Sequence, residues 1–271
     1  MEKPTNVHPM AVVDPSAELD HGVSVGPFAV IGPQVKVGAG TRIESGAQLR
    51  GPSTIGPENH IFPGAIVGFE PQDLKFDGED TTLEIGARNK IRELTTIHRG
   101  TSVGGGVTTV GDDNLFMTGT HIAHDCHVGS HTIFANNATL AGHVRVYDHS
   151  TVGAFSSIHQ HCRVGRHAFI GGYSVITRDA LPFVKTVGTR PACYGINRIG
   201  LERRGFDDAT LKALEAAYRI LVRARHTPAK AVELLSELPE HPELNYLIEF
   251  IGGTDRGLIT SPPGREGRRG Q

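Results

Sequence analysis

Histidine supplies 15 of the 271 residues. Its densest run, His121, His124, His127, His131 and His143, lies in mid-chain with Asp125 inside it. Three chemistries use such a cluster. Neutral imidazoles converging on one ion make a zinc site, to which His121 with His124 or His127 would contribute. One imidazole beside an orienting carboxylate makes an acid–base site, and His124 followed by Asp125 supplies that pair. Rings repeated at a fixed interval make scaffold, and His131, His149 and His167 recur every 18 residues as an expected surface ladder. Crowded titratable groups mark a site only probabilistically, so the choice depends on the elements that carry them.

Those elements follow from a period of six. An aliphatic residue stands at Val7, Val13, Leu19, Val25, Ile31, Val37, Ile43, Leu49, Ile55, Ile61 and Val67, and again at Ile85, Ile91, Ile97 and Val103. After a slip of one residue the pattern runs from Val110 through Phe116, Ile122, Val128, Phe134 and Leu140 to Ile176. Four positions after each aliphatic residue comes a small or branched one, as at Ala11, Ala17, Val23, Ala29, Val35 and Ala47. Strand side chains alternate, so these two positions share the inward face, a pattern that helical periodicity does not produce. The physical solution is a solenoid of short parallel strands, each coil bonded to the next roughly 4.8 Å away. In this register Cys126 and Cys162 point into the core and are packing residues, whereas His124 sits at an outward corner. Asp125, His143 and His161 fall one coil apart on the same edge.

Two stretches break the period: Phe69 to Glu84, and the region around Gly104, Gly105 and Gly106. Loops projecting from a rigid solenoid are site builders. The triple glycine has neither the lysine of a phosphate loop nor a dinucleotide fingerprint, and is read as a flexible corner. After about Pro191 the hexads stop. Asp207 opens a helical pattern through Leu211, Leu214, Tyr218 and Leu221. Thr227 and Pro228 cap a second helix to Leu238, and Pro242 opens a third ending near Gly252 and Gly253. The expected division is a β-helix over 1–190 with a loop inserted at 69–84, a small α-helical domain over 191–256, and a disordered tail over 257–271 containing SPPGREGRRGQ.

Composition narrows the partners. Lys plus Arg at 27 against Asp plus Glu at 29 gives a formal charge of −2, unlike a polybasic nucleic-acid binder. No apolar run approaches the roughly 20 residues of a membrane span, and no leader pattern opens the chain, so a cytoplasmic location without a transmembrane segment is expected. Three cysteines without a CxxC pair give neither a disulfide framework nor a zinc knuckle.

Several segments then match one family together: HIAHDCHVG (121–129), NNATLAGHV (136–144), PQDLKFDGE (71–79), TTIHRGT (95–101) and GLERRGF (200–206). The chain resembles the UDP-N-acetylglucosamine 3-O-acyltransferases of lipid A biosynthesis, over nearly everything from the first hexads to the helical part. The resemblance implies a left-handed parallel β-helix with three hexads per coil. It also implies a homotrimer with sites between subunits. Val12, Val30, Gln48 and Ile66 on one flank, and Leu115, Ile133, Thr151 and Phe169 on another, provide apolar stripes for subunit contact.

The implied reaction moves a 3-hydroxyacyl group from acyl carrier protein to the sugar 3-hydroxyl of UDP-N-acetylglucosamine, with no cofactor and no metal. Carried over residue by residue, His124 is the general base, Asp125 orients it and the Gly142 N–H meets the oxyanion. Asp73, Lys75 and His121 grip the glucosamine, and His143 and Gln160 border it. Asn197, Arg203 and Arg204 serve the nucleotide and diphosphate, and Gly172 aligns with the acyl-length ruler. One departure is Ile199, where the family often has an acidic residue, so the ribose or uridine contact is expected to differ. A hexapeptide enzyme forming an amide on a 3-amino UDP-sugar is the nearest alternative, and a zinc carbonic anhydrase the rival from another class.

Overall fold

The computed structural model describes residues 4–224 and 226–264. It is a left-handed parallel β-helix followed by short helices. Three parallel sheets form the faces of a prism, and successive strands take the faces in turn. Face one holds 11 strands, face two 9 and face three 8. Residues 18 apart pair as the hexads require: Val12 with Val30, Ile133 with Thr151, His127 with Arg145.

The aliphatic positions fill the interior, with Ile31, Leu49, Ile61, Ile97, Ile122, Leu140 and Ile158 essentially inaccessible. Phe116 and Phe134 stack at 5.1 Å across adjacent coils. Burying one such side chain contributes about 1.5–3 kcal/mol, so the core is strong although each strand is only two to five residues long. Along one inner edge the small residue is replaced by amides. Asn59 Oδ1 accepts from the Asn89 N–H, Asn89 Oδ1 from Asn114, and Asn114 Oδ1 from Thr132, at 2.7–2.9 Å. These side chains satisfy corner N–H groups that the strand ladders leave free.

Corners between faces place one residue per coil in the left-handed region. Asp125, His143 and His161 take φ of 57–62° between faces two and three, as do Asp113, His131, His149 and His167 (56–61°) between faces three and one. Asp, Asn and His tolerate this conformation better than most non-glycine residues, which accounts for columns rich in titratable groups on two edges.

The register differs from expectation at Val103, which is 85% exposed. Ser102–Gly104 form a 3-10 turn and the strand resumes only at Val107–Val110. The last strand of the parallel stack is Val184–Val187, which pairs parallel with Phe169–Ile170 and antiparallel with Ala192–Ile196. The helices are α1 (Arg198–Glu202), α2 (Asp208–Tyr218), α3 (Pro228–Ser236) and α4 (Pro242–Gly252). Asp207 and Thr227 cap α2 and α3 as their sequence suggests, whereas α1 has no such signal. None of the described helices is long and apolar enough to cross a membrane.

Arg163 ties the helices to the prism by donating to Asp179 and to the Phe250 carbonyl, each at 2.8 Å. The expected start of disorder at 257 is corrected. Leu258 and Ile259 are buried, Ile259 N donates to Asp179 O, and Ser261 O accepts from Cys193 N. Residues 265–271 of the expected tail lie outside the described residues.

Candidate active site

The edge between faces two and three gathers the chemistry. Asp125 is 2% exposed and fully partnered. Its Oδ1 accepts from the Thr101 N–H (2.8 Å), and its Oδ2 from the Thr101 hydroxyl and from His124 Nδ1, each at 2.7 Å. A carboxylate only accepts, so His124 carries its proton on Nδ1 and leaves Nε2 as the acceptor. Thr101 is held in turn by the Gly104 N–H. Thus the triple-glycine segment, read from sequence as a flexible corner, is a clamp on Asp125. A Cβ on Gly104 would overlap that carboxylate.

The side chain of His124 is 13% exposed. Its ring lies against Gly142, where an added Cβ would come 2.5 Å from Cε1. Among the described residues the Gly142 N–H meets no acceptor, so a donor stands free beside His124. His143 meets His124 edge-on at 5.1 Å, and His161 stacks on His143 at 4.4 Å. Burial lowers the His143 pKa, while Asp125 and Asp73 pull it upward. Asp73, on the inserted loop, thus adds negative charge in the surroundings of this edge.

His98 was missed by the sequence reading. It is 6% exposed, and its Nδ1 has no hydrogen-bond partner. Burial, then His121 and His124, holds its pKa near 4, which keeps it neutral. It contacts His121 edge-on at 5.0 Å. Burial also lowers the His121 pKa, and His121 Nδ1 lies 2.7 Å from the Thr96 hydroxyl. The signal was present, since TTIHRGT occupies the coil immediately before HIAHDC.

Other expected residues stand apart. Lys75 and Gln160 are exposed, and among the described residues neither side chain makes a hydrogen bond. Gly172 is on the edge between faces one and two. Asn197, Arg203 and Arg204 line a cavity of about 670 Å³ over face one, with Lys185, Ile133 and Phe169. Face one is opposite the edge that carries His124, so one protomer presents the two halves of the expected site on opposite sides.

Two alternatives find little support in the geometry. His124, Asp125 and His143 bring potential ligand atoms within 4.8 Å of one another, without His121 or His127. Both Asp125 oxygens are already committed to Thr101 and His124, however, so a metal would have to break the clamp. Burial pushes the Cys126 thiol up to about 12 and Cys162 to about 11, so neither is a nucleophile.

Comparison with known proteins gives two family matches. The model described as Udp N-acetylglucosamine O-acyltransferase, Domain 2, matches residues 179–259, and the bacterial transferase hexapeptide model matches residues 107–142. The acyl-(acyl-carrier-protein)–UDP-N-acetylglucosamine O-acyltransferase of Thermodesulfovibrio yellowstonii is 45% identical over 253 residues, covering 93% of this chain and 98% of that protein. Among solved structures, LpxA from Acinetobacter baumannii is 42% identical with a TM-score of 0.91, over 93% of this chain and 99% of that one. UDP-N-acetylglucosamine O-acyltransferase from Moraxella catarrhalis is 39% identical with the same TM-score and coverage.

Proposed function

The chain belongs to the UDP-N-acetylglucosamine O-acyltransferase family, and we propose that it performs that acyl transfer with His124 as general base. It is an acyltransferase that moves a 3-hydroxyacyl group from acyl carrier protein to the 3-hydroxyl of UDP-N-acetylglucosamine, the first step of lipid A biosynthesis. The observation that carries the assignment of the base is the buried Asp125, which fixes the proton of His124 on Nδ1 and leaves Nε2 open.

A sugar hydroxyl is too weakly acidic to ionise unaided. As its oxygen bonds to the thioester carbonyl carbon, Nε2 takes the hydroxyl proton and Asp125 stabilises the imidazolium. The carbonyl π electrons move onto oxygen, where the Gly142 N–H donates to the developing charge. Collapse re-forms the carbonyl and breaks the carbon–sulfur bond, and the departing thiolate recovers the proton from His124. The products are a sugar ester and free carrier thiol.

Asp73, Lys75, His121, His143 and Gln160 would hold the sugar, with His98 as a neutral neighbour. Asn197, Arg203 and Arg204 would hold the nucleotide and diphosphate. In a homotrimer the His124 edge of one protomer would meet face one of the next, uniting groups that a single chain holds apart. The stacked apolar residues Leu115, Ile133 and Phe169 on face one support that packing. In this reading the β-helix (1–190) carries the acyltransfer chemistry and the helical part (191–256) the nucleotide contacts. Gly172 would leave room for a long acyl chain. Nucleotide sugars and carrier proteins are charged molecules confined to the cytoplasm, where the enzyme would work.

The test incubates the purified chain with UDP-N-acetylglucosamine and 3-hydroxyacyl carrier proteins of several lengths. An ester at the sugar 3-position is expected, with longer chains preferred. No transfer from any donor would reject the assignment, and preference for the shortest would reject the role of Gly172.

A further inference from the structure

The edge between faces three and one carries a second titratable column. At its lower end Arg88 grips Asp113 through two hydrogen bonds of 2.8 and 2.7 Å. Above them His131, His149 and His167 stack nearly parallel, with ring centroids 4.9 and 4.7 Å apart, and Phe183 continues the column 5.8 Å from His167.

His149 differs from its neighbours in two ways. It lines the face-one cavity together with Asn197, Arg203 and Arg204. Its Nδ1 is enclosed in the stack with no hydrogen-bond partner, so Nε2 is the nitrogen that faces the cavity. The charged groups lining that cavity are all cationic: Lys185, Arg198, Arg203 and Arg204, with no carboxylate among the described lining residues. Arg198 is paired with Glu202 and Glu215, whereas Lys185, Arg203 and Arg204 make no ion pair among the described residues, and such clustered cations favour an anionic occupant.

We propose that His149 is a further substrate-binding residue, its Nε2–H donating to the diphosphate of the nucleotide sugar beside Arg203 and Arg204. The inference rests on the reading of the cavity as the nucleotide half of the site and deepens it. Ile199 gives the cavity an apolar side chain, and a donor from the β-helix adds polar contact.

A proton signature follows. Burial first, then Arg204 and His131, lowers the His149 pKa; Asp148 opposes this and Arg166 adds to it. A bound diphosphate brings negative charge against the ring and favours the imidazolium. Binding should therefore take up part of a proton at pH values below the ordinary imidazole range.

The experiment measures binding of UDP and of uridine to the intact protein by calorimetry, in buffers of different ionisation heat. It uses wild type, His149→Phe and Arg204→Ala. Phenylalanine suits the position because Phe183 occupies the same column with φ of 64°. His149→Asn, which tolerates the left-handed backbone and lacks the stacking ring, serves as a second variant if the phenylalanine protein fails to fold. The expected result is UDP affinity lowered about five- to tenfold in His149→Phe, as for loss of one hydrogen bond to a charged group. Uridine affinity should be unchanged and the proton uptake lost. UDP binding within twofold of wild type, with Arg204→Ala weakened, would overturn the role of His149 alone. Undiminished binding in both variants would overturn the reading of the cavity as well.

Discussion

Two histidine columns run along two edges of the same prism, with the same spacing and the same left-handed corner residues. In the first, Asp125, His143 and His161 follow one another, and His124 stands beside the buried carboxylate. In the second, His131, His149 and His167 stack above Asp113, whose oxygens are both taken by Arg88, and His131 Nδ1 comes no closer to it than 4.0 Å. The repeat supplies position to both columns. Only the first has a desolvated carboxylate that is both clamped and in contact with an imidazole. The difference traces to the insertion before it, because Thr101 and Gly104 belong to the segment that breaks the hexads.

The comparison breaks most sharply at the clamp. Gly104→Ala is expected to force the Asp125 carboxylate from its seat and lower kcat by about 100-fold, the range of one general-base contribution. Thr101→Val, which removes one hydroxyl donor, should lower it by about tenfold. In both variants KM for the nucleotide sugar should move little, since the cavity over face one is untouched. Steady-state kinetics with separate kcat and KM determine this, and a change confined to KM would count against the clamp.

Acid stability sharpens the contrast from the other column. Burial, with His149 and the nearby arginines Arg204 and Arg166, lowers the His167 pKa to about 3, and burial lowers His98 to about 4. In the unfolded chain these rings protonate near 6.5. Between these limits the unfolded state binds more protons, so stability is complete above about pH 6.5 and falls as pH drops toward 4. The loss reaches up to about 3 kcal/mol per residue. His167→Phe should flatten this dependence in denaturant melts taken from pH 7 to 4, and an unchanged slope would exclude His167 as a source. The smallest effect belongs to Cys126→Ala. Removing this buried thiol should cost about 1 kcal/mol and leave kcat within twofold, whereas a large kinetic loss would reopen thiol chemistry.

Much of this was legible in the chain. Period six with aliphatic and small residues in phase specifies parallel coils, and the adjacency of His124 and Asp125 is a local signal. The division between columns was legible in part, since the 18-residue spacing identified the second stack. The clamp was not, because an insertion of irregular length separates Thr101 from Asp125 and no periodicity relates them. His98 was passed over although its motif was visible, since its burial depends on the packing of two coils. Val103 fits the register by type but lies in the turn that ends it. The placement of Arg203 and Arg204 opposite His124 comes from α1 folding back over face one, for which five residues carry no strong helical signal.

The most direct test compares His124→Ala with His131→Ala in one acyl-transfer assay, using UDP-N-acetylglucosamine and a 3-hydroxyacyl carrier protein. Folding of each variant is checked by circular dichroism. The account predicts that His124→Ala is folded and loses at least about 1,000-fold in kcat/KM, while His131→Ala stays within about twofold because it lies in the column without a clamped carboxylate. A His124→Ala protein retaining more than a tenth of wild-type turnover, or equal losses in both variants, would contradict it.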